Sequence, residues 1–228
     1  MSSTSEPIPE PLPRPTPLAD LRTDYRRAVL IELEASLDPF EQFGRWFADG
    51  VESCRTTTEE PHAMTLATIG LDGRPSARTV LLKGFDGDGF VWFTNYESRK
   101  GRELAANPVG ALNFRWSGLE RQVNVRGFVS RVSAAESDAY FATRPLGSRI
   151  GAVASAQSQV IPDRIELERV AASLAAGPES DVVRPDWWGG FRLVADEIEF
   201  WQGRPSRLHD RLRYRLSSTE WIRERLAP

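Results

Sequence analysis

From His62 to Arg131 the chain runs in short alternating stretches of apolar and polar residues separated by Gly-containing turns, and this succession of hairpins restricts the fold more than any other feature. AMTLATIG alternates with a period of two and ends at Asp72-Gly73, a hairpin turn signal. SARTVLLKGF is the return strand, Asp86-Gly87-Asp88-Gly89 the next turn, and FVWFTN the third strand. A helix opens between Asn95 and Ser98, runs through RKGRELAAN and stops at Asn107-Pro108. ALNFRWSGL and RQVNVRGFVSRV are two further strands. Consecutive hairpins interrupted by one helix predict an antiparallel barrel.

The flanks add helices. Prolines at 7, 9, 11, 13, 15 and 17 make residues 1–17 a disordered or extended tail, ahead of a single domain over 18–228. Leu18 to Leu33 reads as a short surface helix carrying Arg22, Asp24, Tyr25 and Arg26. Asp38, Pro39 and Glu41 start a stronger helix, whose Phe40, Phe43, Phe47 and Val51 form one core stripe. Ser133 and Glu136 open a helix that ends before Pro145, residues 147–156 form a small-residue helix, and Asp163 with Glu166 caps another that Gly177-Pro178 stops. From Trp188 the sequence reads as four more strands. The sum, about nine strands and five helices, is an α+β protein with a barrel core.

Composition narrows the function classes. A net charge of −3 gives no global argument for nucleic acid or an anionic membrane. No apolar run approaches the ~20 residues that span a bilayer, and the N-terminus lacks the basic start and apolar core of a secretory signal. A lone cysteine, Cys54, makes no internal disulfide, which points to the cytoplasm; it reads as a structural residue. With two histidines, His62 and His209, and no Cys/His cluster, no metal site is expected. Of 29 basic residues only Lys83 and Lys100 are lysines, which suggests positions where a compact ammonium is needed.

The stretch from Phe200 to Arg211, FWQGRPSRLHDR, places Arg207, His209 and Arg211 at alternate positions. On an extended strand they would share a face, with Leu208 turned into the core. Such a row suits an anionic small molecule; it equally fits a solvated arginine face on an edge strand. Three other places could hold phosphate. Arg78, Val80 and Leu82 share one face of their strand, and Thr79, Leu81 and Lys83 the other, so the two basic ends could serve two ligands. Arg99 and Lys100 occupy the first turn of a helix, where a bound anion would relieve their unfavourable position against the dipole. Tyr140 and Arg144, four apart, with Ser148 after them, offer hydroxyl, guanidinium and hydroxyl around a helix end. No nucleophile elbow, P-loop or dinucleotide fingerprint appears. A site rich in cationic donors and poor in nucleophiles fits chemistry that belongs to a bound cofactor. Two phosphate-type sites beside tryptophans suit a flat phosphorylated cofactor and a phosphorylated substrate.

RTVLLK at 78–83, FTNYESRKGRELAANP at 93–108, LERQV at 119–123, the YF–RP–S pattern at 140–148, QS at 157–158 and EFWQGRPSRLHDR at 199–211 together resemble the pyridoxamine 5'-phosphate oxidase family, from about Leu18 to Pro228. The resemblance implies an FMN-binding split β-barrel and a homodimer with interfacial active sites. It also implies oxidation of pyridoxamine or pyridoxine 5'-phosphate by oxygen to pyridoxal 5'-phosphate, with hydrogen peroxide released. By motif, the implied FMN contacts are Arg78, Thr79, Val80, Leu81, Leu82, Lys83, Phe93, Thr94, Arg99, Lys100, Gln122, Gln157, Ser158, Trp201 and Arg211. The implied substrate contacts are Arg22, Thr23, Asp24, Tyr25, Lys83, Tyr140, Arg144, Ser148, Arg207, Leu208 and His209, with Arg207 and His209 catalytic. The N-terminal group would close over the site. The chain departs from the family pattern at Arg26 to Val29, where glycines are usual, and at Leu146, Arg149 and Val153, where arginine, glutamine and tryptophan are common. A relative acting on another aromatic substrate and a non-catalytic flavin- or pyridoxal-phosphate-binding protein are the alternatives.

Overall fold

Gly73, at φ 72°, reverses the chain between β1 (Ala63–Ile69) and β2 (Pro75–Leu81), which pair antiparallel from Ala63↔Leu81 to Ile69↔Pro75. This computed structural model describes Leu21 and Asp24 to Pro228; the proline-rich stretch and the site candidates Arg22 and Thr23 lie outside the described residues. β3 (Gly84–Asp86) and β4 (Gly89–Asn95) form the next hairpin, and β5 (Val109–Trp116), β6 (Arg121–Arg131), β7 (Trp188–Gln202), β8 (Asp210–Ser217) and β9 (Glu220–Arg225) complete the sheet. The order is β2-β1-β5-β6-β7-β4-β3, with β8 pairing β7 and β9. Two adjacent residues close the curl: the Leu82 N–H bonds the His62 carbonyl at the β1 side (2.8 Å), and the Lys83 N–H bonds the Val91 carbonyl on β4 (2.8 Å). The segment after β2 is thereby hydrogen-bonded to both ends of the sheet, the geometry of a split barrel.

Alternation fills the barrel. Val123, Val125 and Val129 on β6, Leu193, Ile198 and Phe200 on β7, and Leu112 and Phe114 on β5 are all buried. Helix α1 (Pro39–Cys54) is capped by the Asp38 carboxylate, which accepts from the Phe40 and Glu41 N–H groups. Its Phe43 packs edge-on to Phe90 (4.9 Å) and meets Phe114 at 5.0 Å, plugging the core. Val51, expected to extend that stripe, is 40 % exposed, because the buried face of the last turns runs through Trp46, Gly50 and Cys54, and Val51 lies beside it. Cys54 is buried. The remaining helices are α2 (Arg99–Ala106), α3 (Ala134–Thr143), α4 (Leu146–Ala154) and α5 (Arg164–Ala175); Ser98, Ser133 and Asp163 cap α2, α3 and α5.

Three expectations are corrected here. The helix expected over Leu18 to Leu33 is absent from the described part: Asp24 to Ile31 is non-helical, followed by a turn at 32–34. This strap spends its backbone groups on the C-terminal strands instead. The Leu30 N–H reaches Asp210 (3.1 Å), the Leu30 carbonyl accepts from Arg225 (2.9 Å), and the Ser36 carbonyl accepts from the Tyr214 hydroxyl (2.6 Å). The four tail strands are three, since β7 runs unbroken through 15 residues. A bulge absorbs the interruption: Arg126 faces Glu197 and Gly127 faces Ala195, so Asp196 has no partner on β6. The expected extended row over 207–211 is a short 3-10 turn (Pro205–Arg207) leading into β8. Among the described residues no helix is long and apolar enough to cross a membrane.

Candidate active site

A cavity of about 970 Å³ opens between β2, β4, the start of α2, and the α3–α4 corner. Its wall includes Arg78, Thr79, Val80, Leu81, Lys83, Phe93, Thr94, Arg99, Lys100, Tyr140, Arg144, Ser148, Gln157 and Ser158. Residues far apart in sequence therefore meet in one space. Arg78 and Lys83 line the same cavity rather than opposite faces of one strand, because β2 ends at Leu81 and the alternation does not continue into β3. Leu82 is 5 % exposed in the core and is absent from the wall.

One end of the cavity is a cluster of cations. Lys100 is buried and donates to Thr94 Oγ1 (3.1 Å), Ser98 Oγ (3.0 Å) and Gln157 Oε1 (2.7 Å). Burial, and then the nearby Arg78 charge, lower its ammonium to about 8. Burial also lowers Arg78. Arg78 and Arg99 both donate to Glu103 of α2, at 3.2 and 2.8 Å. Sequence reasoning singled out the arginines and missed this carboxylate, although the i,i+4 spacing of Arg99 and Glu103 is visible in the sequence.

The other end is aromatic with one guanidinium. Phe93 stacks on Tyr140 (3.9 Å), and Trp188 lies nearly parallel to Tyr140 (6.2 Å, 4°). Arg144 sits over the Trp188 ring at 4.8 Å; its Nη1 is shut off from solvent and bonds nothing among the described residues. Helix α3 ends at Thr143 and Arg144 is extended, so Tyr140, Arg144 and Ser148 converge around a corner rather than along one helical face. Burial raises the Tyr140 hydroxyl pKa, against the pull of Arg144. The departures Leu146, Arg149 and Val153 are absent from the wall; Arg149 pairs with Glu179.

The remaining candidates form a second group, outside this wall. Gln122 faces Trp201, and Trp201 faces Arg211, across β6, β7 and β8. Arg211 is held by Glu199 (2.8 and 3.0 Å). Trp201 lies 4.6 Å from His209, and Tyr25 meets both rings edge-on at 5.8 and 5.9 Å. Asp24 pairs with Arg26. Arg207 has a left-handed backbone (φ 63°) and is exposed, and Leu208 is 70 % exposed rather than in the core. The Arg204 N–H donates to His209 Nδ1 (3.1 Å), so the neutral ring carries its proton on Nε2. Burial, then Arg207, lower the His209 pKa against Asp210.

Fold and cavity define the class: an antiparallel split-barrel protein with a cationic, aromatic-walled small-molecule site. A family model described as pyridoxamine 5'-phosphate oxidase matches residues 51–175, and one described as the pyridoxine 5'-phosphate oxidase C-terminal dimerisation region matches 188–228. The chain belongs to the pyridoxamine 5'-phosphate oxidase family. A pyridoxine/pyridoxamine 5'-phosphate oxidase of Thermosynechococcus vestitus is 58 % identical over 211 residues, covering 92 % of this chain and 99 % of the relative. One of Ectopseudomonas mendocina is 57 % identical over 216 residues, covering 92 % and 98 %. Among solved structures, PhzG from Burkholderia lata 383, in complex with tetrahydrophenazine-1-carboxylic acid, superposes with a TM-score of 0.80 at 30 % identity, covering 88 % of this chain and 98 % of that one.

Proposed function

We propose that this chain oxidises pyridoxamine or pyridoxine 5'-phosphate to pyridoxal 5'-phosphate with FMN as cofactor and oxygen as oxidant. The alcohol and one O2 yield the aldehyde and one H2O2; the amine takes up one water as well and releases ammonia. The observation that carries the reading is a single cavity with cationic donors at both ends. The Arg78, Arg99 and Lys100 cluster would hold the FMN phosphate. Arg144, whose shielded Nη1 awaits an acceptor, would hold the substrate phosphate with Lys83, Tyr140 and Ser148. The chemistry FMN supplies when bound is acceptance of a formal hydride from the substrate's 4'-carbon and its delivery, as two electrons and a proton, to oxygen. The protein's own part is to bind, orient and exclude water.

The second group, Gln122, Trp201, Arg207, His209 and Arg211, lies away from this cavity in one chain, and its last four members fall inside the dimerisation region. In this reading a second copy brings its group to the cavity, so the site is completed across a homodimer. Arg207 and His209 then flank the substrate ring, His209 donating through Nε2. Replacing Arg207 with alanine is expected to lower turnover at least tenfold with FMN still bound; full activity in that variant would remove Arg207 from the site.

The deciding experiment incubates purified protein with FMN and pyridoxamine 5'-phosphate in air and follows product and oxygen together. Both rising in step supports the reading. Yellow protein with neither signal moving rejects this substrate and favours a flavin-binding protein or another aromatic substrate, for which the likeness to PhzG is the ground. A related expectation concerns pH. The Lys100 ammonium titrates at about 8, so its attraction for an anion is complete below that value and is lost as pH rises through it. FMN binding near pH 8 should take up protons, seen as a dependence of the calorimetric heat on buffer ionisation enthalpy, and Lys100→Met should abolish that dependence.

A further inference from the structure

Glu103 lies on α2, behind the cationic end of the cavity, with only 8 % of its side chain exposed. Its carboxylate accepts from Thr68 Oγ1 (2.5 Å), Ser76 Oγ (2.6 Å), Arg99 Nε (2.8 Å) and Arg78 Nη2 (3.2 Å). Burial pushes its pKa up, but those hydroxyls and the two guanidinium groups outweigh it and bring the group to about 2. A carboxylate this buried and this fully bonded is fixed, and it fixes what it holds. Arg78 is further held through Nη1 by the Leu66 carbonyl (3.1 Å) and by Thr68 Oγ1 (2.5 Å). A free arginine side chain gives up rotamer entropy when a ligand orders it, and here that ordering precedes binding. The charge count agrees: three cations (Arg78, Arg99, Lys100) less one carboxylate leave +2, the complement of a phosphate monoester of charge about −1.5 to −2.

We infer that Glu103 is a positioning residue for the phosphate pocket: it docks Arg78 and Arg99 so that their remaining donors meet a phosphate monoester. The inference rests on the reading of that pocket as the FMN-phosphate site. It makes a selective prediction, because an anion behind an anion site helps by orientation and hinders by charge.

The test compares dissociation constants for FMN and riboflavin, read from flavin fluorescence, in the full-length protein, in Glu103→Ala and in Glu103→Gln. Wild type should prefer FMN to riboflavin by well over tenfold. Glu103→Ala should weaken FMN about tenfold or more and leave riboflavin unchanged, shrinking that preference. Glu103→Gln, which keeps one acceptor, should fall between; it decides the matter if the alanine variant does not fold. FMN binding that is unchanged or tighter in the folded variants would overturn the inference, since charge relief would then outweigh orientation. Equal weakening for both flavins would also overturn it, as that is general structural damage. A wild type that does not distinguish FMN from riboflavin would reject the pocket reading itself, and the inference with it.

Discussion

Replacing Arg144 with leucine is expected to raise the KM for a phosphorylated substrate about a hundredfold or more while FMN affinity stays within a factor of about two. Leucine keeps apolar contact with Trp188 and removes the donors. Two charge-assisted hydrogen bonds at the low end of their range, roughly 1.5 kcal/mol each, already amount to about 3 kcal/mol, and every 1.4 kcal/mol is tenfold. Arg144 carries this weight because its Nη1 is shielded and has no acceptor among the described residues, while the aromatic stack of Phe93, Tyr140 and Trp188 gives the guanidinium little room to turn elsewhere. An unphosphorylated substrate analogue supplies the control, since its poor KM should be nearly the same in both proteins. An unchanged KM for the phosphorylated compound would place the substrate phosphate elsewhere in the cavity.

Gly127→Ala is expected to cause the largest loss of stability of any single methyl addition to the central strands. A Cβ at Gly127 would overlap the Val194 carbonyl oxygen and come within 2.9 Å of the Ala195 Cα. Both are backbone atoms of the neighbouring strand, at the bulge where Asp196 is left unpaired, so no side-chain rotation relieves the contact. Relief requires β6 and β7 to separate, and these two strands carry Val123, Val125, Leu193, Ile198 and Phe200 of the core. Overpacking of this kind falls at the severe end of single substitutions, roughly 4 kcal/mol or more. Urea denaturation measures it, with Ser130→Ala on the exposed side of β6 as a control expected within ~0.5 kcal/mol of wild type. A Gly127→Ala midpoint equal to wild type would mean that the two backbones do not approach this closely.

The same two strands show how far local signals reach. Turn residues and alternation reported β1, β4, β5 and β6 closely, because a hairpin is specified by a few residues at its turn and by one face turned inward. They divided β7 in two, because Asp196 breaks the alternation and only pairing with β6 reveals that the strand continues through a bulge. Leu18 to Leu33 has helix-compatible composition, yet in its described part the Leu30 backbone groups go to Asp210 and Arg225, partners 180 and 195 residues away. The Arg207–His209–Arg211 row failed for a related reason: a left-handed turn at Ser206 and Arg207 precedes β8 and destroys the two-residue period.

For the site, the sequence by itself determined which residues carry charge and hydrogen-bonding capacity, where helices α1 to α5 start, and, through its long ordered motifs, the family. The tertiary structure alone decided the grouping. Closure of the sheet at Leu82 and Lys83 puts Arg78 and Lys83 in one cavity, and the corner between α3 and α4 turns Arg144 into the same space. The packing of α2 against β1 and β2 gives the cation cluster its buried counter-charge in Glu103. Periodicity specifies which way a residue points relative to its own strand or helix, whereas a site is made where different elements meet, and that depends on register, bulges and closure over long stretches of chain.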